Sequence, residues 1–122
     1  MNADTSSVKS AFSSDDGEGM KYVVYFKSNS TSLTDGSQST LADALNAARD
    51  EKVAKARVVA FTDSRGSLRY NQQLSMRRAE SIKQKLSSAG IGSVEVSGAG
   101  EMNSGTNGDG QSARRAEIYL IK

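Results

Sequence analysis

Thr62-Asp63-Ser64-Arg65-Gly66-Ser67-Leu68-Arg69-Tyr70-Asn71-Gln72-Gln73-Leu74-Ser75-Met76-Arg77-Arg78-Ala79 joins a strand to a helix through a short polar turn. Just before it, Ala56 to Phe61 reads Ala-Arg-Val-Val-Ala-Phe, a mostly apolar run of strand length that suits an interior strand flanked by helices. Asp63 therefore follows directly on a strand end. A helix is predicted from about Leu68 to Ser88, stopping near Gly90, whose missing Cβ suits a left-handed cap. On a wheel of about 100° per residue, Asn71, Leu74, Ser75, Arg78, Ile82 and Leu86 fall within about 120° of one another. Arg78 thus lies on the stripe expected to face the sheet, where a guanidinium is costly to desolvate unless an anion meets it. Arg77, one position earlier, points to solvent.

Because the helix doubles back across the sheet, it carries Arg78 toward the neighbourhood of Asp63. Residue types leave two readings of the pair open. One is a buried Asp63–Arg78 salt bridge that pins the helix to the turn, a purely structural role that would leave the chain a protein-interaction module of the same fold. The other treats the two as halves of an amino-acid site, the carboxylate meeting an ammonium and the guanidinium taking a carboxylate in a fork. Asn71, on the same helical face, can orient the aspartate or the ligand.

Working outward, Tyr22-Val23-Val24-Tyr25-Phe26 is a β-branched and aromatic strand, and Lys27 to Ser32 is a polar connection too long for a tight hairpin. Thr34 or Asp35 can cap a helix whose Leu41, Ala44, Leu45 and Ala48 recur at helical spacing, ending near Glu51. Val94 to Ser97 is a third strand. Gly98 to Ser112, rich in Gly, Asn and Ser, is expected to be a long mobile loop, and Ala116 to Ile121 is the last strand. The order β-α-β-α-β-loop-β implies an α/β sandwich, with helices on one face of a mixed four-stranded sheet. Residues 1–20 hold few apolar side chains, Val8, Ala11 and Phe12 among them, amid Ser, Asp, Gly and Asn, and are expected to be a disordered tether to a domain over 21–122.

A chain of 122 residues with 36% apolar composition can bury one modest core. The 16 basic residues nearly balance 14 acidic ones and are scattered, so nucleic acid is not an expected partner, which would need a dense cationic stripe. Without Cys or His the usual zinc sites, the Cys nucleophile, the common Ser-His-Asp triad and every disulfide are excluded, and neither metal nor cofactor is expected. No apolar run approaches the roughly 20 residues that span a bilayer, and the N-terminus lacks a signal-peptide core. A chain working outside the cytoplasm is then expected to be a mature or excised piece.

The stretch Thr62 to Ala79 resembles the T-D-x-x-G-x-x-x-Y-N-x-x-L-S-x-x-R-A signature of OmpA-like domains, found in OmpA tails, Pal lipoproteins and stator proteins of the MotB type. The resemblance extends over about residues 21 to 121, through Asn29 to Leu33, Gly90-Ile91, Gly98-Ala99-Gly100-Glu101 and Arg114-Arg115-Ala116-Glu117-Ile118. It implies noncatalytic, noncovalent binding of peptidoglycan through the diaminopimelate of the peptide stem, in the periplasm or cell envelope. It assigns the grip on that residue to Asp63 and Arg78, with Thr62 and Asn71 as supporting contacts. Other envelope proteins would be partners through the parent protein. The chain departs from the family pattern in having Lys27 where many members have Asp, Ala113 where the pattern has Asn, Phe61 where His is common, and no Pro after Glu101.

Arg114 and Arg115 precede the last strand, where alternation puts one on each face. They read as a solvated surface pair, or as one arginine bracing the Asp63 turn or touching ligand, and Arg115 is the choice by its place at the strand. Gly98-x-Gly100 lacks the third glycine and the helix of a dinucleotide-binding turn. Glu101 is expected to fix a turn, and Tyr70 either packs or stacks on the peptide. A glycosidase would need two carboxyls about 5 to 10 Å apart, for which Asp63 and Glu101 are the available pair, with Arg78 holding Asp63 ionised. RNA binding would want more exposed aromatics on the sheet than Tyr22, Tyr25 and Phe61 supply.

Overall fold

The computed structural model describes residues 19–101 and 113–121. The expected tether, up to residue 18, and residues 102–112 of the expected loop lie outside them. The elements run β1 (Met20–Tyr25), α1 (Asp35–Asp50), β2 (Lys55–Thr62), α2 (Leu68–Ser88), β3 (Ser93–Glu101) and β4 (Arg115–Ile121). The four strands form one mixed sheet in the order β1-β4-β2-β3, with β4 antiparallel to both neighbours and β2 parallel to β3. This is the α/β architecture expected from the sequence.

Alternation along the strands decides which face the helices cover. On β4, Ala116, Ile118 and Leu120 are fully buried while Arg115, Glu117 and Tyr119 lie on the other side. The register carries the same parity across the sheet: Val58 pairs with Ile118 and Val96, and Ala60 with Ala116 and Gly98. The apolar face so formed packs on Leu41, Ala48, Ala79, Ile82 and Leu86 of the helices. On the opposite face the Tyr119 ring lies between Lys21, 5.6 Å from its centroid, and Arg57, at 5.3 Å.

Helix α2 starts at Ser67, whose hydroxyl accepts the Tyr70 N–H at 3.0 Å and satisfies one donor of the first turn. It ends at Ser88, and Gly90, just past the cap residue Ala89, adopts φ +101, as the missing Cβ suggested. The start of α1 is held differently, because Thr34 makes no side-chain cap bond and Ser37 instead accepts the Tyr25 N–H at 2.8 Å.

One boundary needs correction. The third strand was expected over Val94 to Ser97 with a loop from Gly98, yet β3 continues to Glu101. Gly98 and Gly100 serve close packing here rather than a loop: a Cβ on Gly98 would lie 2.6 Å from the Met76 backbone nitrogen, and one on Gly100 2.8 Å from Gln72 Oε1. The Ser75 hydroxyl accepts the Gly100 N–H at 2.9 Å across this narrow gap.

Candidate binding site

A cleft of about 290 Å3 opens where β2 ends and α2 begins, bounded on the far side by the loop after β1. Thr62, Asp63, Asn71 and Arg78 all line it, so the helical stripe and the strand end converge as the sequence pattern implied. Each is nevertheless held in its own way.

Asp63 is mostly buried, its side chain 10% exposed, and its Oδ2 accepts from Arg65 Nη2 at 2.7 Å and from Arg114 Nη1 at 3.0 Å. The backbone N–H of Arg65 reaches Oδ1 at 3.3 Å. Burial alone would raise the Asp63 pKa, but the hydrogen bonds from Arg65 and Arg114 outweigh it and hold the carboxyl below its ordinary value.

Arg78 has no exposed surface. Its Nε donates to the Ser30 carbonyl at 2.8 Å, Nη1 to that of Phe61 at 3.0 Å and Nη2 to that of Lys27 at 3.2 Å. The guanidinium also lies 4.9 Å from the centre of the Phe26 ring. Burial pulls its pKa down to about 10, with the Asp63 charge opposing and Arg114 adding to the shift, so it remains a cation at neutral pH. A guanidinium carries five N–H donors, and these bonds use one on each nitrogen, which leaves one on Nη1 and one on Nη2.

The buried Asp63–Arg78 salt bridge, one of the two readings of the pair, is not formed: among the described residues the ion pairs of Asp63 are with Arg65 and Arg114. The carboxylate finds its cations on its own turn and on the segment before β4, while three backbone carbonyls solvate Arg78.

Asn71 is fixed through its Nδ2, which donates to the Arg65 carbonyl at 2.8 Å and to Glu101 Oε2 at 3.0 Å. Glu101 therefore acts on the site through Asn71, shaping the turn that carries Asp63. Gly66 follows Arg65 at φ +91, a conformation that a residue with a Cβ rarely adopts. Thr62 is buried, and its Oγ1 has no hydrogen-bond partner among the described residues. Across the cleft mouth the Tyr70 hydroxyl donates to Asn29 Oδ1, tying α2 to the loop after β1, where Asn29 is in the left-handed region.

The two C-terminal arginines exchange the places expected of them. Arg115 does not line the cleft; it pairs with Glu117 at 2.8 Å and lies 5.1 Å from the Phe61 ring centre on the uncovered sheet face. Arg114 lines the cleft and binds Asp63. The signal was present in the strand: Arg114 shares the parity of Ala116, Ile118 and Leu120, which face the helices, and Arg115 does not. Ala113, at the position where an amide was missing, is fully buried.

A strand-end aspartate and a helix-face arginine around one cleft, on a β1-β4-β2-β3 sheet with two helices on one side, define an α/β domain with a charged cleft. Residues 25–117 match the OmpA family, and the chain belongs to it. It is 41% identical over 76 residues to outer membrane protein A of Klebsiella pneumoniae, covering 59% of this chain and 22% of that protein. Among solved structures it is similar to the peptidoglycan-associated lipoprotein from Burkholderia pseudomallei, with a TM-score of 0.67 at 27% identity, over 81% of this chain and 90% of that one. It is also similar to the cell wall anchor of the T6SS from Pseudomonas aeruginosa, with a TM-score of 0.55 at 26% identity, over 85% and 82% of the two chains. The chain spans only 29% and 22% of the length of the first two curated relatives it matches. Among the described residues no helix is long and apolar enough to cross a membrane.

Proposed function

We propose that this domain binds peptidoglycan without cutting it, holding the diaminopimelate of the peptide stem between Asp63 and Arg78, and so anchors an envelope protein to the cell wall in the periplasm. The observation that carries the reading is that the two charges line one cleft without pairing with each other. A zwitterionic head can then bring its ammonium to Asp63 and its carboxylate to the wall behind which Arg78 lies, a buried cation with two N–H donors beyond those given to the three carbonyls. Thr62 Oγ1, buried and without a partner among the described residues, is a further polar contact for that head.

The names of two similar structures, a peptidoglycan-associated lipoprotein and a cell wall anchor, favour peptidoglycan as the polymer bound. A noncatalytic role fits the electrostatics. A general acid must hold a proton near neutral pH, whereas Asp63 is kept ionised by two guanidiniums. The rival reading, a protein-interaction module whose Asp63–Arg78 salt bridge only holds the fold, loses the salt bridge on which it rested.

The experiment is sedimentation with purified insoluble peptidoglycan of the diaminopimelate type beside the lysine type, with wild type and Asp63→Ala. Wild type should pellet with the diaminopimelate polymer and release no soluble fragments, and Asp63→Ala should stay in the supernatant. Release of muropeptides would mark an enzyme, and failure of the wild type to pellet would leave the interaction module.

A further inference from the structure

Asp63 already has a cation where a ligand ammonium would have to arrive. Arg65 Nη2 sits 2.7 Å from Asp63 Oδ2, on the same oxygen that Arg114 reaches at 3.0 Å. The two arginines differ in their surroundings. The Arg114 side chain is 14% exposed, at the root of the central strand β4, whereas that of Arg65 is 65% exposed on a turn followed by Gly66. From that turn Arg65 Nη2 also comes within 3.5 Å of Ser28 Oγ on the opposite wall, so its side chain lies across the mouth.

Asp63 Oδ2 already takes a guanidinium on each of its two lone pairs, so an ammonium that enters there competes with them. The guanidinium in water gives up its contact at less cost, because screened and mobile ion pairs are weak. We infer that Arg65 is a displaceable internal cation that occupies the ammonium subsite on Asp63, and that a ligand must push it aside to bind. This rests on the zwitterion-binding reading above. Arg65 is then a specificity-determining residue. It keeps Asp63 matched while the cleft is empty, and it sets a threshold that only a ligand carrying its own ammonium, correctly placed, can repay.

The test uses calorimetric titration of the folded domain with meso-diaminopimelate, and with pimelate, which has the same two carboxylates but no amines. Four proteins are compared: wild type, Arg65→Ala, Arg65→Lys and Arg69→Ala. The last removes an equal charge from an exposed position outside the cleft. Removing Arg65 should tighten diaminopimelate binding by roughly two- to fivefold, the size expected for loss of an exposed ion pair. Arg65→Lys, which keeps a cation beside Asp63, should bind less tightly than Arg65→Ala, and Arg69→Ala should match wild type. Pimelate binding should not improve in any variant.

Equal or weaker diaminopimelate binding by Arg65→Ala, with wild type binding normally, would overturn the inference and leave the proposed function standing. An equal gain for pimelate would also overturn it, since Arg65 would then obstruct the cleft rather than compete for Asp63. Absence of binding by every protein would defeat the proposed function, and the inference with it.

Discussion

Asp63 and Arg78 line one cleft as opposite charges and bind different partners, the carboxylate two other arginines and the guanidinium three backbone carbonyls. Because each is matched separately, neither is an uncompensated buried ion, and a ligand does not have to break a bond between them to enter. The arrangement also gives Arg78 a second task, since its three acceptors lie on the loop after β1 and at the end of β2.

That second task sets the expected behaviour of Arg78 variants. Truncation to Ala strands three carbonyls without their donor and leaves a cavity in the core. Arg78→Ala is therefore expected to lower stability by about 3 kcal/mol or more, at roughly 1 kcal/mol or more for each unsatisfied group. Arg78→Lys should fold better and still fail to bind, because an ammonium cannot supply the planar fork. Urea denaturation of the three proteins beside binding measurements separates the two losses. A fully stable Arg78→Ala would show that the carbonyls do not depend on it.

Acid titration addresses Asp63. Its pKa is lower in the folded protein than its ordinary value, so its ion pairs contribute stability that is present above that ordinary value, about 3.9, and is lost as pH falls through the depressed one. In Asp63→Asn this contribution is absent at every pH. The stability difference between wild type and Asp63→Asn, from denaturant midpoints at pH 7 and pH 2.5, should therefore be larger at pH 7. A constant difference would mean that the carboxyl does not titrate lower in the folded state.

Gly98→Ala tests the contact between β3 and α2. A Cβ placed 2.6 Å from the Met76 nitrogen and 2.8 Å from its Cα meets backbone, which cannot rotate away. The helix must shift, at an expected cost of about 2 kcal/mol or more. Gly92→Ala, whose Cβ would meet nothing within 4 Å, is the control. Thermal melts of both variants should separate them, and equal melting temperatures would contradict the tight approach.

Much of this was legible in the sequence, for reasons that differ by residue. The helical stripe of α2 was readable because Asn71, Leu74, Ser75, Arg78, Ile82 and Leu86 recur with one period, and all six are buried. Strand β2 stood out as an apolar run. Gly98 and Gly100 misled because the residues that give a loop its freedom also let a helix approach a strand. The partners of Arg78 were hidden because they are backbone carbonyls, which every residue carries. Nor did sequence spacing show that Arg114, 51 residues after Asp63, would reach it, a contact made by the insertion of β4 beside β2.

The claim that Asp63 and Arg78 hold the two charges of one ligand is tested most directly by calorimetric titration of a diaminopimelate stem peptide into wild type, Asp63→Asn and Arg77→Ala, each shown by melting to be folded. Loss of the carboxylate leaves the ligand ammonium unmatched in a partly dry cleft, which costs about 2 kcal/mol or more, a fall of roughly 30-fold in affinity. Arg77 is exposed, its guanidinium 5.8 Å from the Tyr70 ring centre, and its removal should change affinity by no more than roughly twofold. A folded Asp63→Asn that binds the stem peptide as tightly as wild type would contradict the account.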